Sequence, residues 1–253
     1  MKFFVFATTL LAVSAIEQNS NLRGGDSATE EHKAEFVCPF TPPVVGPNEQ
    51  YQHISDWGGW KYDLESIHAF HIGESAHQAI YDFIGPGSSL VDIGAGVGQM
   101  KVALDRINAD VDYTGFDGGA NIMEMEGVHA PVYGDDKHVI PKLCWADASK
   151  PFDIHRTFDV VLSKEVGEHI PKEGEAAFMD NLIRLAKPRG GRIILTWAQP
   201  GQGGKGHVNC QSKSYVIEEM EKRGVVFDEL NTNWLGRKIL PGYAKNLMIF
   251  FKQ

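Results

Sequence analysis

The stretch Ser89–Met100 (SLVDIGAGVGQM) limits the fold of this chain more than any other. It begins with apolar, β-compatible residues and passes through Gly94, Gly96 and Gly98 in GxGxG spacing. It then enters Val97–Ala109, whose pattern predicts a helix. A strand, a tight turn and a helix in that order aim backbone N–H groups and a positive helix end at a ligand. Glycines let such a turn take positive φ and let a ligand approach the backbone. The dinucleotide fingerprint is GxGxxG, closing on a pyrophosphate. Here the third glycine comes one residue early, and Asp92 stands two residues before the first. A carboxylate at a strand's end suits a ligand with ammonium or hydroxyl groups better than one with phosphates.

The next acidic signal is Asp110–Asp117 (DVDYTGFD), which reads as the following strand. It places Asp117 where a carboxylate accepts both hydroxyls of a ribose. Further strands are expected at Leu143–Asp147, Phe158–Ser163, Arg192–Trp197, Val225–Leu230 and Leu247–Lys252. Helical spacing marks Gly73–Phe83, a short Ala120–Glu126, Glu175–Ala186 and Ser212–Arg223. His129–Lys142 reads as irregular, and Lys187–Gly191 (KPRGG) as a sharp turn. The last strand is expected to follow its neighbour through a loop with no helix. This alternation predicts an α/β fold: a doubly wound, mostly parallel seven-stranded sheet with an antiparallel C-terminal strand.

The glycine turn, Asp92, Asp117, Asp147 and the KPRGG turn, taken together, resemble the class I S-adenosylmethionine-dependent methyltransferases. The resemblance runs from about Ser75 to the C-terminus and implies a methyltransferase domain over 75–253. It implies S-adenosyl-L-methionine as cofactor, with Asp92, Gly94, Ala95, Gly96 and Gly98 around it. It further implies Asp117 and Gly118 at the ribose, Asp147 and Ala148 at the adenine, and Ser163 nearby. Residues 49–74, which include the aromatic and histidine-rich Tyr51–His71, would form a lid or substrate segment.

A second constellation, Glu165-Val166-Gly167-Glu168-His169, follows the fourth of these strands at once. In one helical turn Glu165, Glu168 and His169 would face the same way, at the sheet edge where open α/β sheets bind ligands. The glycine-rich Gln199–His207 loop can bring His207 to the same place. Two carboxylates and an imidazole make a site for a hard divalent cation such as Mg2+. The ExxEH turn is similar to that of two metal-using groups, the ubiquinone-pathway O-methyltransferases and the small-RNA 2′-O-methyltransferases. The other reading has His169 as a base, with Glu168 lining the pocket.

Composition narrows the acceptor. A net charge of −9 leaves no electrostatic footprint for nucleic acid. The expected partner is therefore a small-molecule methyl acceptor, methylated at oxygen. The alternatives are an RNA methyltransferase and a cofactor-binding protein without turnover. Lys2, the apolar run Phe3–Val13 and Ala15 describe a signal peptide over 1–15. That implies entry into the secretory pathway and no membrane span once the peptide is removed. Residues 16–48 read as an irregular linker. Cys38, Cys144 and Cys210 are widely spaced and odd in number, and predict neither a disulfide framework nor a zinc motif.

Overall fold

The central strand β1, Ser88–Ile93, is shielded on both faces: Leu90 and Val91 are fully buried and Ile93 nearly so. Burial of successive residues, pointing to both faces, is what a parallel strand covered by helices on both sides shows. The computed structural model describes residues 36–43, 59, 61–62, 74–133 and 136–253. Around β1, a seven-stranded sheet has the order β5-β2-β1-β6-β7-β9-β8. Its members are β2 Val111–Asp117, β5 Cys144–Trp145, β6 Val160–Lys164, β7 Arg192–Thr196, β8 Val225–Phe227 and β9 Leu247–Lys252.

The chain leaves β1 towards β2 on one side and returns to β6 on the other. The strand order therefore reverses between β1 and β6, and the crevice at their C-terminal ends is the ligand-binding edge of such a sheet. β9 runs antiparallel to β7 and to β8, between which it is inserted. This is the doubly wound, mostly parallel sheet with an antiparallel C-terminal strand that the sequence predicts.

Helices close both faces. α1 (Glu74–Ile84) packs Ala79, Ile80 and Ile84 against Leu90, Leu162 and Ile249. On the other face α3 (Glu175–Leu185) buries Phe178, Met179, Leu182 and Leu185. Each such side chain contributes about 1.5–3 kcal/mol by leaving water. α4 (Lys213–Lys222) is capped by the Ser212 hydroxyl, which accepts from the Tyr215 N–H at 3.2 Å.

Several expectations need correction. The helix after the glycine turn, α2, is only Gln99–Arg106, because Asn108 turns left-handed with φ 49°. Ala120–Glu126 is a single 3₁₀ turn, Ile122–Met125. His129–Lys142 is not irregular but holds an antiparallel hairpin, β3 His129–Tyr133 with β4 Asp136–Val139. Two helices, α5 Glu229–Gly236 and α6 Pro241–Ala244, occupy the connection expected to have none. Their apolar content explains the miss: α5 buries only Thr232 and Leu235, and α6 buries nothing.

Residues 36–43 take no regular structure but lie on the core. Phe36 meets Phe116 edge-on with ring centroids 5.9 Å apart, and Phe40 meets Phe152 at 5.7 Å. Between them Cys38 forms a disulfide with Cys144 of β5, correcting the expectation of none and leaving Cys210 free. The pairing joins residues 106 apart in sequence and depends on this docking, which cysteine spacing does not encode. The signal segment 1–15 and most of 49–74 lie outside the described residues. Among the described residues, no helix is long and apolar enough to cross a membrane.

Candidate active site

The glycine turn begins where β1 ends. Gly94, Gly96 and Gly98 all have positive φ, at 79°, 59° and 81°. A Cβ on Gly94 would lie 2.2 Å from Val166 Cγ2, and one on Gly98 would lie 2.4 Å from Pro141 Cγ. The turn was expected to aim N–H groups at a ligand, and here the structure differs. Gly94 and Ala95 donate to Phe116 O at 2.8 and 2.9 Å, and Gly98 donates to Ala95 O at 3.0 Å. Gly96 donates to Asp117 Oδ2 at 2.8 Å. With these four donors used internally, the turn does not form the ring of outward N–H groups that cradles a pyrophosphate.

What the site does offer is acceptors. Asp92 is 1% exposed; its Oδ2 accepts from the Tyr113 hydroxyl at 3.2 Å, while Oδ1 has no hydrogen-bond partner among the described residues. Burial raises its carboxyl above the usual range, against the opposing pull of Lys164. Asp117 ends β2, and its Oδ1 accepts from the Gly119 N–H at 2.7 Å and the Tyr62 hydroxyl at 2.9 Å. Burial pushes its carboxyl up to about 6, despite the hydrogen bonds from Gly119, Gly96 and Tyr62.

The second constellation folds differently from a helical turn. Glu165 has φ 52°, and a 3₁₀ turn, Gly167–His169, follows it. Glu168 and His169 therefore come together, while Glu165 stays beside Glu168 and its Oε1 accepts from Asn246 Nδ2 at 3.3 Å. Gly167 leaves room that a larger residue would fill: a Cβ there would lie 2.3 Å from the Trp197 indole. Trp197 Nε1 donates to Asn209 O at 2.7 Å, and the N–H groups of Val208 and Asn209 both donate to Glu168 O at 2.9 Å. This clamp carries the 199–211 loop onto the turn and delivers His207.

Glu168, His169 and His207 each present a ligating atom within 4.8 Å of the others. Among the sequence candidates for metal binding, Glu165 is the one outside this group. The His169 ring donates from Nδ1 to Gly206 O at 3.0 Å, and His207 donates from Nδ1 to Gln202 O at 3.1 Å. A carbonyl can only accept, so in its neutral form each ring carries the proton on Nδ1 and the lone pair on Nε2. That of His207 lies 3.9 Å from Glu168 Oε1. Fixing one ring nitrogen to a carbonyl so that the other can ligate is the usual outer shell of a metal-bound histidine. Glu168 is wholly buried, and among the described residues neither carboxyl oxygen accepts a hydrogen bond of normal geometry. Burial first, and then Glu165, push its carboxyl up to about 8, although the N–H groups of Glu168 and Ala198 lie close enough to soften the effect. Burial holds the His169 imidazole down at about 4, against the pull of Gly206 O.

The family profile described as a methyltransferase domain matches residues 62–234, more than half of the chain. The chain belongs to the class I S-adenosylmethionine-dependent methyltransferases. It is 33% identical over 104 residues to a ubiquinone biosynthesis O-methyltransferase of Paramagnetospirillum magneticum, covering 41% of this chain and 38% of that protein. It is 30% identical over 118 residues to the 2-methyl-6-phytyl-1,4-hydroquinone methyltransferase of Synechocystis, covering 47% of this chain and 35% of that protein. The matched region thus spans well under half the length of either relative. Among solved structures, the fold is similar to the CcbJ methyltransferase of Streptomyces caelestis, with TM-score 0.54 and 10% identity over 78% of this chain and 98% of that one. It is also similar to a TehB-like methyltransferase of Corynebacterium glutamicum, with TM-score 0.52 and 16% identity over 75% and 92%.

The family's cofactor fits the residues of this methyltransferase domain. Its amino-acid end would meet the unpartnered Asp92 Oδ1, and its ribose would meet Asp117. The other sequence candidates are placed less directly. Asp147 Oδ1 accepts from the Ser149 N–H at 3.0 Å, and its Oδ2 lies 3.0 Å from Lys150 Nζ, so it caps its own turn. Gly118 O accepts from Trp145 Nε1 at 3.3 Å, and Ala148 O accepts from Asn181 Nδ2 at 3.2 Å. The Ser163 hydroxyl donates to Ile93 O at 2.9 Å and ties β6 to β1. Sequence reasoning missed Tyr62 and Lys164. Tyr62 is one aromatic among many in its segment, and Lys164 reads as an ordinary strand end.

Proposed function

We propose that this methyltransferase moves the methyl group of S-adenosylmethionine to a hydroxyl oxygen of a small aromatic acceptor. The observation that carries this reading is the Glu168–His169–His207 cluster, built at the edge of the sheet beside β6. The relatives named for ubiquinone and hydroquinone chemistry support the acceptor class. When bound, the cofactor supplies an electrophilic methyl on a sulfonium. Asp117 and Asp92 would hold it by hydroxyl and ammonium groups, and much of the acceleration then comes from positioning and exclusion of water.

A hydroxyl acceptor must also lose its proton. An imidazole held near 4, as His169 is, makes a weak base at neutral pH. The cluster is better suited to holding a divalent cation, which would lower the pKa of an acceptor hydroxyl. Glu168, His169 and His207 would be its ligands. Magnesium was the ion expected from the sequence, but two imidazoles with one carboxylate suit zinc or manganese better than an ion that prefers oxygen alone.

The test uses the full chain, methyl-labelled S-adenosylmethionine and a catechol probe. Label should appear in a catechol ether; chelator should abolish this without weakening S-adenosylhomocysteine binding, and manganese or zinc should restore it. Cofactor binding with no label on catechol, hydroquinone or simple phenol probes overturns the oxygen assignment. Transfer that survives excess chelator overturns the metal assignment and returns the proton to His169.

We also infer that the chain enters the secretory pathway and loses its first 15 residues. The Cys38–Cys144 disulfide supports maturation in an oxidising compartment. Sequencing the amino terminus of the protein from its native source checks this, and an intact Met1 refutes it.

A further inference from the structure

Lys164 is the last residue of β6 and sits beside β1, where Asp92 pairs with Leu162 two residues earlier. Among the described residues its hydrogen-bond partner is not a carboxylate but His77 of α1, whose Nε2 accepts from Lys164 Nζ at 3.2 Å. Lys164 also lines a small apolar cavity with Ala76, Ile80, Ile194, Leu235 and Leu247. Among the described residues this lining, which also includes Thr196 and Tyr243, contains no counter-ion. Burial lowers the ammonium's pKa, with Asp92 as the charge that opposes the effect. Burial, and then Lys164, hold the His77 imidazole well below its ordinary value, so it accepts from the ammonium as a neutral ring.

The result is a cation and an anion on neighbouring strands at the ligand-binding edge. They sense each other but are not joined by an ion pair within hydrogen-bonding range. Among the described residues, Asp92 Oδ1 has no hydrogen-bond partner, although Asp92 is 1% exposed. Buried charges left this way are costly unless something joins them. A group that carries both signs about one carbon atom meets both needs at once.

We infer that Lys164 binds the carboxylate of the cofactor's amino-acid end while Asp92 takes its ammonium, with His77 positioning the Lys164 ammonium. The inference rests on the cofactor reading above and adds to it a specific residue for one end of that ligand. Lys164 is a binding residue that takes no part in the chemistry, and His77 acts only through it. The arrangement selects a zwitterion: a ligand lacking the carboxylate leaves Lys164 unpaired, and one lacking both groups leaves both charges as they are in the empty protein.

The test is a calorimetric cycle on the full chain with three ligands: S-adenosylhomocysteine, its decarboxylated analogue, and 5′-methylthioadenosine, which lacks the amino-acid end. In the wild type, decarboxylation should weaken binding tenfold or more. In Lys164→Met that penalty should shrink to less than threefold, because S-adenosylhomocysteine loses affinity, while 5′-methylthioadenosine binds as it does to the wild type. His77→Ala should show a smaller loss confined to S-adenosylhomocysteine. If Lys164→Met weakens all three ligands equally, Lys164 is structural and the inference fails. It fails also if the wild type does not discriminate against the decarboxylated analogue, a result that needs no variant to fold. Failure of the wild type to bind any of the three would instead overturn the cofactor reading.

Discussion

The Tyr62 hydroxyl donates to Asp117 Oδ1 at 2.9 Å, from a segment outside the sheet to the carboxylate that ends β2. Tyr62 is held there through its backbone, since its N–H donates to Asn121 Oδ1 and its carbonyl accepts from Asn121 Nδ2, each at 2.8 Å. A carboxylate offers about four acceptor positions. Gly119, Tyr62 and Gly96 fill three of them, which leaves one, on Oδ2. A ribose diol brings two hydroxyls, so the second can be taken only if Tyr62 yields. Tyr62→Phe should therefore bind S-adenosylhomocysteine severalfold more tightly than the wild type in calorimetry. Weaker binding would mean that the hydroxyl helps to hold the cofactor.

The same carboxylate predicts a dependence on pH with two opposite signs. In the folded protein Asp117 titrates at about 6, above its ordinary value of 3.8. The empty native state thus keeps a proton that the unfolded chain has lost, and its stability should fall as pH rises from about 4 to 6. Cofactor affinity should change the other way, because only the ionised carboxylate accepts both hydroxyls. Below pH 6 the dissociation constant of S-adenosylhomocysteine should rise towards about tenfold per pH unit for this single proton. Asp117→Asn should bind weakly at every pH and lose this dependence. A wild-type affinity that stays flat between pH 5 and 7 would exclude Asp117 from the ribose.

The sequence made the sheet legible because its strands are short apolar runs set off by glycine, proline and acids, a pattern that local chemistry controls. Asp92 and Asp117 were legible for the same reason, since Asp92 stands one residue before the end of β1 and Asp117 ends β2, each strand leading into a turn. The hairpin 129–139 and the helices α5 and α6 were not, because their apolar positions are too few to set a period. Gly167 shows a different limit. In sequence it is a poor helix residue; in the fold it is the space that the Trp197 ring requires. Glu165 stands outside the Glu168–His169–His207 group because the turn is 3₁₀ and begins after it, although its charge still acts on Glu168. Tyr62, Lys164 and the Cys38–Cys144 bond are tertiary pairings with no local signal.

The disulfide should stabilise the fold chiefly by restricting the unfolded chain. Closing a loop of this length corresponds to about 4–5 kcal/mol in the chain-entropy limit, and typical measured values are about 2–4 kcal/mol. Cys38→Ser should lower the denaturant midpoint accordingly in non-reducing buffer. Adding reductant should bring the wild type down to the same midpoint and leave the variant unmoved. Hydrogen exchange should accelerate first at β5 and residues 36–43, which the bond joins. If reductant leaves the wild type's midpoint unchanged, the bond does not form in solution or contributes nothing.

Glu168 predicts a conflict between stability and binding. Its carboxyl is wholly buried and among the described residues neither oxygen has a hydrogen-bond partner of normal geometry, so the empty protein bears its desolvation whether it is charged or neutral. Glu168→Gln keeps the shape and removes the ionisable group. Without metal, the variant should therefore melt a few degrees higher than the wild type, as a gain of about 1–2 kcal/mol implies for a domain of this size. Adding zinc or manganese should reverse the order, because only the wild type has a carboxylate to complete the site with His169 and His207, and a ligand that binds only the native state raises its stability. His169→Ala should also lose the metal-induced rise but show no gain in the empty state, which separates the two effects. A carboxyl that merely supports the fold would give the opposite pattern: Glu168→Gln would melt lower, and metal would shift neither protein.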